Sequence, residues 1–205
     1  MIEIEIKLRW RGSAGEAGAF LHDKGYQAMG PRELEVDQLF DRASGELRSS
    51  RQILRLRRHA GKTTVTYKGS PQDGRYKMRE EIEFDASSAA AVELVLIRLG
   101  YQATFRYEKY RTKFHRNNEP GMITLDETPI GVFMELEGAT AWIDSTAAQL
   151  GFTSEDYVTD SYAALYREHR QAHPEAPADM IFLEITEKSG VEGRVKYGGT
   201  KTKQP

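Results

Sequence analysis

No cysteine occurs in the 205 residues. This removes disulfide frameworks, thiolate zinc sites and cysteine nucleophiles together, and since His22, His59, His115, His169 and His173 show no ligand spacing, oxygen is the expected ligand for any metal. No apolar run approaches the roughly 18 residues of a membrane span, so no membrane partner is expected. Net charge is also missing, because 29 Lys and Arg nearly cancel 31 Asp and Glu to leave −2. Without a global basic field, a nucleic-acid backbone is not an expected partner either. What remains is 39% hydrophobic and 29% charged, enough apolar matter for the core of one large domain. The information must lie in where the charges are placed.

Residues 2 to 10 alternate strictly, with Ile2, Ile4, Ile6, Leu8 and Trp10 on one parity and Glu3, Glu5, Lys7 and Arg9 on the other. That period of two is a strand with one apolar and one charged face. The charges also break up the apolar segment that a signal peptide needs, and a cytoplasmic location is the expectation. Ser13 and Glu16 have capping-box spacing ahead of a helix stopped at Gly25. Strand character recurs at about 36–42, 52–59, 62–69, 76–85, 106–116, 121–128 and 131–138. Short Gly- and Pro-containing turns between neighbours predict an antiparallel, meander-like order for the eight strands. Further helices are predicted at about 86–99, 140–150 and 160–172. The first two helices end alike, Leu21-x-x-x-Gly25-Tyr26-Gln27-Ala28 and Leu96-x-x-x-Gly100-Tyr101-Gln102-Ala103, offset by 75 residues, which reads as a duplicated half. Residues 186–205 are Gly- and Lys-rich without periodicity and read as a flexible tail following a domain of residues 1–185.

The charges fall at i, i+2 spacing within strands: Glu3, Glu5 and Lys7; Arg55 and Arg57; Arg79, Glu81 and Glu83; Lys109, Arg111 and Lys113; Glu135 and Glu137, with Lys68 and Asp126 closing two more. Such side chains share one face of a strand, about 6.5 Å apart. Glu-x-Glu occurs in three of these sets, and like carboxylates side by side need a compensating cation. The opposite faces are aliphatic (Ile4, Ile6; Leu54, Leu56; Ile82, Phe84; Met134, Leu136), and the amphipathic helices need an apolar surface to cover. The arrangement that satisfies both is an α+β fold: a closed eight-stranded antiparallel β-barrel with a charged lumen and helices packed outside. A lipocalin-like barrel with an apolar interior would leave the helices no partner. Arg9, Lys77 and Lys113 are expected outside or at the barrel ends. A lumen of mixed carboxylates and cations suits a polyphosphate together with Mg²⁺ or Mn²⁺. No Gly-x-x-x-x-Gly-Lys loop is present, so side chains would do the phosphate binding.

Glu3-Ile4-Glu5-Ile6-Lys7 resembles the ExExK signature of the CYTH, or triphosphate tunnel metalloenzyme, superfamily, which includes class IV adenylyl cyclases, thiamine triphosphatases and inorganic tripolyphosphatases. The resemblance continues in order through Leu54-Arg55-Leu56-Arg57, Thr66-Tyr67-Lys68-Gly69, Arg79-Glu80-Glu81-Ile82-Glu83, Lys109-Tyr110-Arg111, Leu125-Asp126-Glu127 and Met134-Glu135-Leu136-Glu137. Ser161-Tyr162 resembles a motif of the last helix in the cyclase-like branch. One departure is Leu39, where relatives often have Tyr.

The resemblance implies metal-binding carboxylates at Glu3, Glu5, Asp126, Glu135 and Glu137, and a triphosphate cradle of Lys7, Arg55, Arg57, Lys68, Arg79, Lys109 and Arg111. It implies catalytic acidic residues at Glu81 and Glu83. The activity it implies is that of a divalent-metal-dependent enzyme acting on a small-molecule triphosphate, most like conversion of ATP to cyclic AMP and pyrophosphate. The alternatives are hydrolysis of thiamine triphosphate, a nucleoside triphosphate or tripolyphosphate, and a non-catalytic polyphosphate-binding barrel. A homodimer is a possible assembly.

Overall fold

A computed structural model describes residues 2–183; the segment read as a tail, 186–205, lies outside the described residues. The elements run β1 (Ile2–Trp10), α1 (Ala14–Asp23), β2 (Gln27–Ala28), β3 (Glu33–Arg42), α2 (Glu46–Ser49), β4 (Ile53–His59), β5 (Lys62–Lys68), β6 (Lys77–Ala86), α3 (Ala89–Arg98), β7 (Tyr101–His115), β8 (Met122–Thr128), β9 (Gly131–Glu137), α4 (Thr140–Gln149) and α5 (Tyr162–Ala172). Pairings run β7-β3-β4-β5-β6-β1-β9-β8, and β8 returns to β7. Eight antiparallel strands therefore close into a barrel, while two-residue β2 lies outside on β7.

The order is two meanders, β3-β4-β5 and β7-β8-β9, each preceded by a strand and a helix. The leading strands β1 and β6 pair with each other, as do β3 and β7. Going round the barrel, a two-fold exchange maps β1 onto β6, β3 onto β7, β4 onto β8 and β5 onto β9, the duplication expected from the sequence. The helices keep the 75-residue offset: Ser13 and Ser88 cap them through Glu16 N and Ala91 N, and Gly25 and Gly100 stop them at φ +86°. Positive φ is the conformation that glycine adopts without cost.

Alternation decides what faces where. Even-numbered Ile6 and Leu8 on β1, with Met134 and Leu136 on β9, point outward into a core with Ala17 and Leu21 of α1 and Trp142, Ile143 and Ala147 of α4. A smaller cluster joins Phe40, Leu56 and Val65 to Val92 and Leu96 of α3. The expectation that helices cover all the aliphatic faces fails at β6, where Ile82 and Phe84 are exposed. The chain passes from β5 to β6 through a loop without a helix, so no counterpart of α4 covers them. α5 also departs from a simple outer layer. Its Tyr162, Leu165 and Tyr166 pack on Tyr107 and Phe133, which share the inward parity of β7 and β9, so α5 stoppers one end of the lumen.

Trp142 fixes α4 to the barrel by lying flat against the backbone at Gly121, where a Cβ would collide with its ring. Gly121→Ala is therefore expected to lower unfolding stability by about 1–3 kcal/mol through overpacking, read as a lower urea midpoint at unchanged slope.

Candidate functional site in the barrel lumen

The odd positions of β1, β3, β4, β6, β7 and β9 and the even positions of β5 and β8 face inward, and every residue assigned by sequence to metal or phosphate stands at one of them. Glu5, Lys7, Arg55, Arg57, Lys68, Arg79, Lys109, Asp126 and Glu135 are buried. Arg9 and Lys113 are exposed, as expected, and Arg9 lies over the Phe133 ring. Lys77 corrects the reading from sequence: it is 5% exposed, and its Nζ is 2.9 Å from Glu5 Oε1. As the first residue of β6 it looked like a strand end, but pairing with Glu5 of β1 draws it inside.

The inward charges form a lattice in which cations and carboxylates alternate. Around β1, Lys68 holds Glu3 at 2.7 Å and Glu81 at 3.0 Å, Arg79 reaches Glu3 at 3.5 Å, and Lys7 bridges Glu5 and Glu135 at 3.4 and 3.3 Å. Around β7, Asp126 accepts from Lys109 at 2.7 Å and from Arg111 Nε at 2.6 Å, and Arg111 also binds Glu135. Around β4, Arg57 forks onto both oxygens of Asp37 at 2.8 and 3.0 Å and reaches Glu35 at 2.9 Å. Glu83 accepts from Thr66 at 2.9 Å and lies 3.6 Å from Arg55.

Several members of this lattice were missed as site residues by sequence. Glu35 and Asp37 are a further acidic i, i+2 pair, and reading the strand from 36 instead of 33 left Glu35 outside it and so hid the pair. Tyr162 was legible only as part of a motif; its hydroxyl donates to Asp126 at 2.8 Å, and its ring lies near the ammonium groups of Lys7 and Lys109.

Electrostatics divides the carboxylates. Burial alone would raise Glu5 and Glu135, but Lys7 and further cations outweigh it and hold both well below the usual range. Glu35 is lowered likewise by Lys109, Arg111 and Arg57, and Asp37 by Arg57 and Arg55. Glu3 and Glu137 go the other way, raised by burial and by repulsion from neighbouring carboxylates, Glu5 among them. Lys77 is pulled down to about 7 by burial, against the attraction of Glu5.

Two features fit the implied ligands. Glu3 and Glu137 are carboxylates whose charge burial and neighbouring carboxylates oppose more strongly than Lys68 favours it, and their hard oxygens suit Mg²⁺ or Mn²⁺. Among the described residues no three or more acidic or histidine side chains are arranged to hold a metal ion. On the cationic side, Arg55 Nε is buried with no hydrogen-bond acceptor, a donor that an anion would satisfy. A cavity of 570 Å³ opens from the lumen beside Lys77 and Arg79. Its walls include Leu39, Phe105 and Tyr166, polar Gln102, Thr104 and Ser161, and Arg48, Arg51, Arg167 and Arg170.

Asp37 gives a sign-defined test of the lattice. Its lowered value means that its contribution is complete above its ordinary 3.8 and is lost as pH falls through the lower folded value. Asp37→Asn should cost about 3 kcal/mol at pH 7, the low end for a broken buried pair, since Glu35 still holds Arg57. The deficit relative to the wild type should shrink on acidification to about pH 3, measured by urea unfolding at both pH values.

The comparisons agree with this geometry. The CYTH domain family profile matches residues 1–162. A Methanocaldococcus jannaschii protein named "Putative adenylate cyclase" is 28% identical over 137 residues, 67% of this chain and 77% of that protein. A Pyrococcus horikoshii structure superposes with TM-score 0.70 at 25% identity, covering 82% of this chain and 99% of its own. A Hippeastrum protein, named "Putative adenylyl cyclase" and described as revealing a dominant triphosphatase activity, superposes with TM-score 0.61 at 20% identity, over 82% of this chain and 96% of its own. With a family profile spanning most of its length and a closed, charge-lined barrel, the chain belongs to the CYTH domain family.

Proposed function

We propose that the chain is a divalent-metal-dependent enzyme that binds a nucleoside triphosphate with its phosphates in the lumen, and that it converts ATP to cyclic AMP and pyrophosphate. The observation that carries the choice of a nucleotide is the cavity beside Lys77 and Arg79, which is partly apolar at Leu39, Phe105 and Tyr166 and has room for a base and ribose. Inorganic tripolyphosphate would have no use for those walls. The Methanocaldococcus jannaschii relative's name supports the cyclase reading.

The lattice gives this reading a physical route. A triphosphate can take over Lys7, Arg55, Arg57, Lys68, Arg79, Lys109 and Arg111 from their carboxylates, and Arg forks are suited to phosphate oxygens. Glu3, Glu5 and Glu137, with Asp126 and Glu135, would hold Mg²⁺ or Mn²⁺. When bound, such an ion supplies charge neutralisation for the departing pyrophosphate. In cyclisation the ribose 3′-oxygen forms a bond to the α-phosphorus as the bond to the bridging oxygen breaks, and the hydroxyl proton goes to a carboxylate. Arg79 lines the cavity, so Glu81, two residues along the same face, is better placed for that proton than Glu83. The lysine and arginine side chains are fixed before reaction and lose little by reorganising as charge moves to the leaving group.

A second reading, hydrolysis, changes only the nucleophile to water; the activity reported for the Hippeastrum protein favours keeping it. The test is incubation with ATP, thiamine triphosphate and tripolyphosphate in Mg²⁺ or Mn²⁺, with products separated. Cyclic AMP and pyrophosphate from ATP are expected. Orthophosphate without cyclic AMP would move the assignment to a hydrolase, and no turnover of any triphosphate would overturn the enzyme reading. Glu135→Gln should abolish turnover with the fold intact, as should chelation with EDTA, reversed by Mn²⁺. Arg57→Ala should mainly weaken substrate binding, seen as a raised KM.

A further inference from the structure

The outer surface of the barrel is unevenly covered. α1 and α3 are counterparts, equal in length and capped and stopped at positions 75 apart. Their inward residues match in kind, Ala17 and Leu21 against Val92 and Leu96. Their outward residues do not. Where the first helix and its cap carry Ala19, His22 and Lys24, the second carries Leu94, Ile97 and Leu99, each more than half exposed. Within α3 only Glu93 and Arg98 are charged, and Glu93 is turned aside to Arg58 of β4 at 3.3 Å. A helix apolar nearly all round is the kind that is buried on both sides.

The adjoining sheet has the same surplus. α4 covers β1 and β9, whereas Ile82 and Phe84 on β6 are 52% and 57% exposed. Phe84 is paired with Val65, which packs beneath α3, so the sheet and helix surfaces run together. With Val95 and Ile2, this face holds seven of the ten large apolar side chains exposed among the described residues. Together they present on the order of 600–700 Å² of apolar surface, above what a monomer normally leaves in one patch and close to the roughly 800 Å² that each partner gives a stable complex.

We propose that the face formed by α3 and the outer side of β6 is the docking surface for a second copy of this chain, in a two-fold symmetric dimer. Residues 184–205 are poorly suited to cover it, since they hold only four large apolar side chains, Ile185, Val191, Val195 and Tyr197. The rim carries both signs, Arg58 and Arg98 with Glu80 and Glu93, which lets a self-complementary contact set unlike charges across it. β6 has strand partners on both sides, so the contact is one of faces, not an extension of the sheet. The interface lies on the opposite side of the barrel wall from the lumen, since Ile82 and Phe84 alternate along β6 with inward Glu81 and Glu83.

The test is sedimentation velocity on the full chain over a micromolar concentration series. The wild type should reach twice the 23.2 kDa chain mass, and Phe84→Glu with Val95→Glu should dissociate at least about tenfold more readily with unchanged far-ultraviolet circular dichroism. Should that pair fail to fold, Leu94→Gln with Leu99→Gln changes only the helix and its cap and should weaken association in the same direction. A wild type that stays at 23.2 kDa throughout, including one whose face is covered by its own residues 184–205, would overturn the proposal. So would folded variants that associate as tightly as the wild type.

Discussion

Everything distinctive in this protein depends on turning a barrel inside out, so that ion pairs fill the lumen while aliphatic side chains face the helices. Taking isolated charges from water costs several kcal/mol each, and the chain offsets this by giving the inward face of each strand charges that meet an opposite sign on the same or a nearby strand. Lys7 between Glu5 and Glu135, Lys68 between Glu3 and Glu81, and Asp126 between Lys109 and Arg111 repeat one device. Such a lattice is a modest source of stability. Under the proposed function its value would lie in holding cations and hard oxygen ligands at fixed positions that a metal and a polyphosphate divide between them.

The lattice is also incompletely neutralised where it matters for that division. Glu3 and Glu137 resist ionisation because burial and neighbouring carboxylates outweigh Lys68, and Arg55 retains a buried donor without an acceptor. These two imbalances have opposite sign and stand within one lumen, the complementarity that a metal–triphosphate pair would relieve. Tyr162 links the lattice to α5, since its hydroxyl binds Asp126 while its ring faces Lys7 and Lys109. The helix that stoppers the barrel is thereby in contact with the groups that would hold substrate.

Much of this was legible in the sequence because strand alternation is a local rule. The parity of Glu3, Glu5 and Lys7 against Ile4, Ile6 and Leu8 is enough to separate lumen from core, and the cap at Ser13 with stops at Gly25 and Gly100 sets those helix ends nearly to the residue, whereas the start of α3 falls three residues after the expected 86. What was not legible depended on pairing between distant strands. Lys77 enters the lumen only because β6 pairs with β1, and Glu35 only because β3 starts earlier than its apolar pattern suggests. That α5 lies across the barrel end, with Tyr107 and Phe133 beneath it, follows from no periodicity. Nor does periodicity tell that Ile82 and Phe84, apolar on the expected side, lack a helix to cover them, because that depends on α4 having no counterpart after β5.

The central claim is that lumen cations hold the phosphates while lumen carboxylates hold the metal. A crystal structure of the chain with a non-hydrolysable ATP analogue and Mn²⁺, with manganese located by its anomalous scattering, tests this most directly. The account predicts phosphate oxygens among Arg55, Arg57, Lys109 and Arg111, and manganese on the side of Glu3, Glu5 and Glu137. Nucleotide or manganese bound elsewhere, with the lumen ion pairs intact, would contradict it.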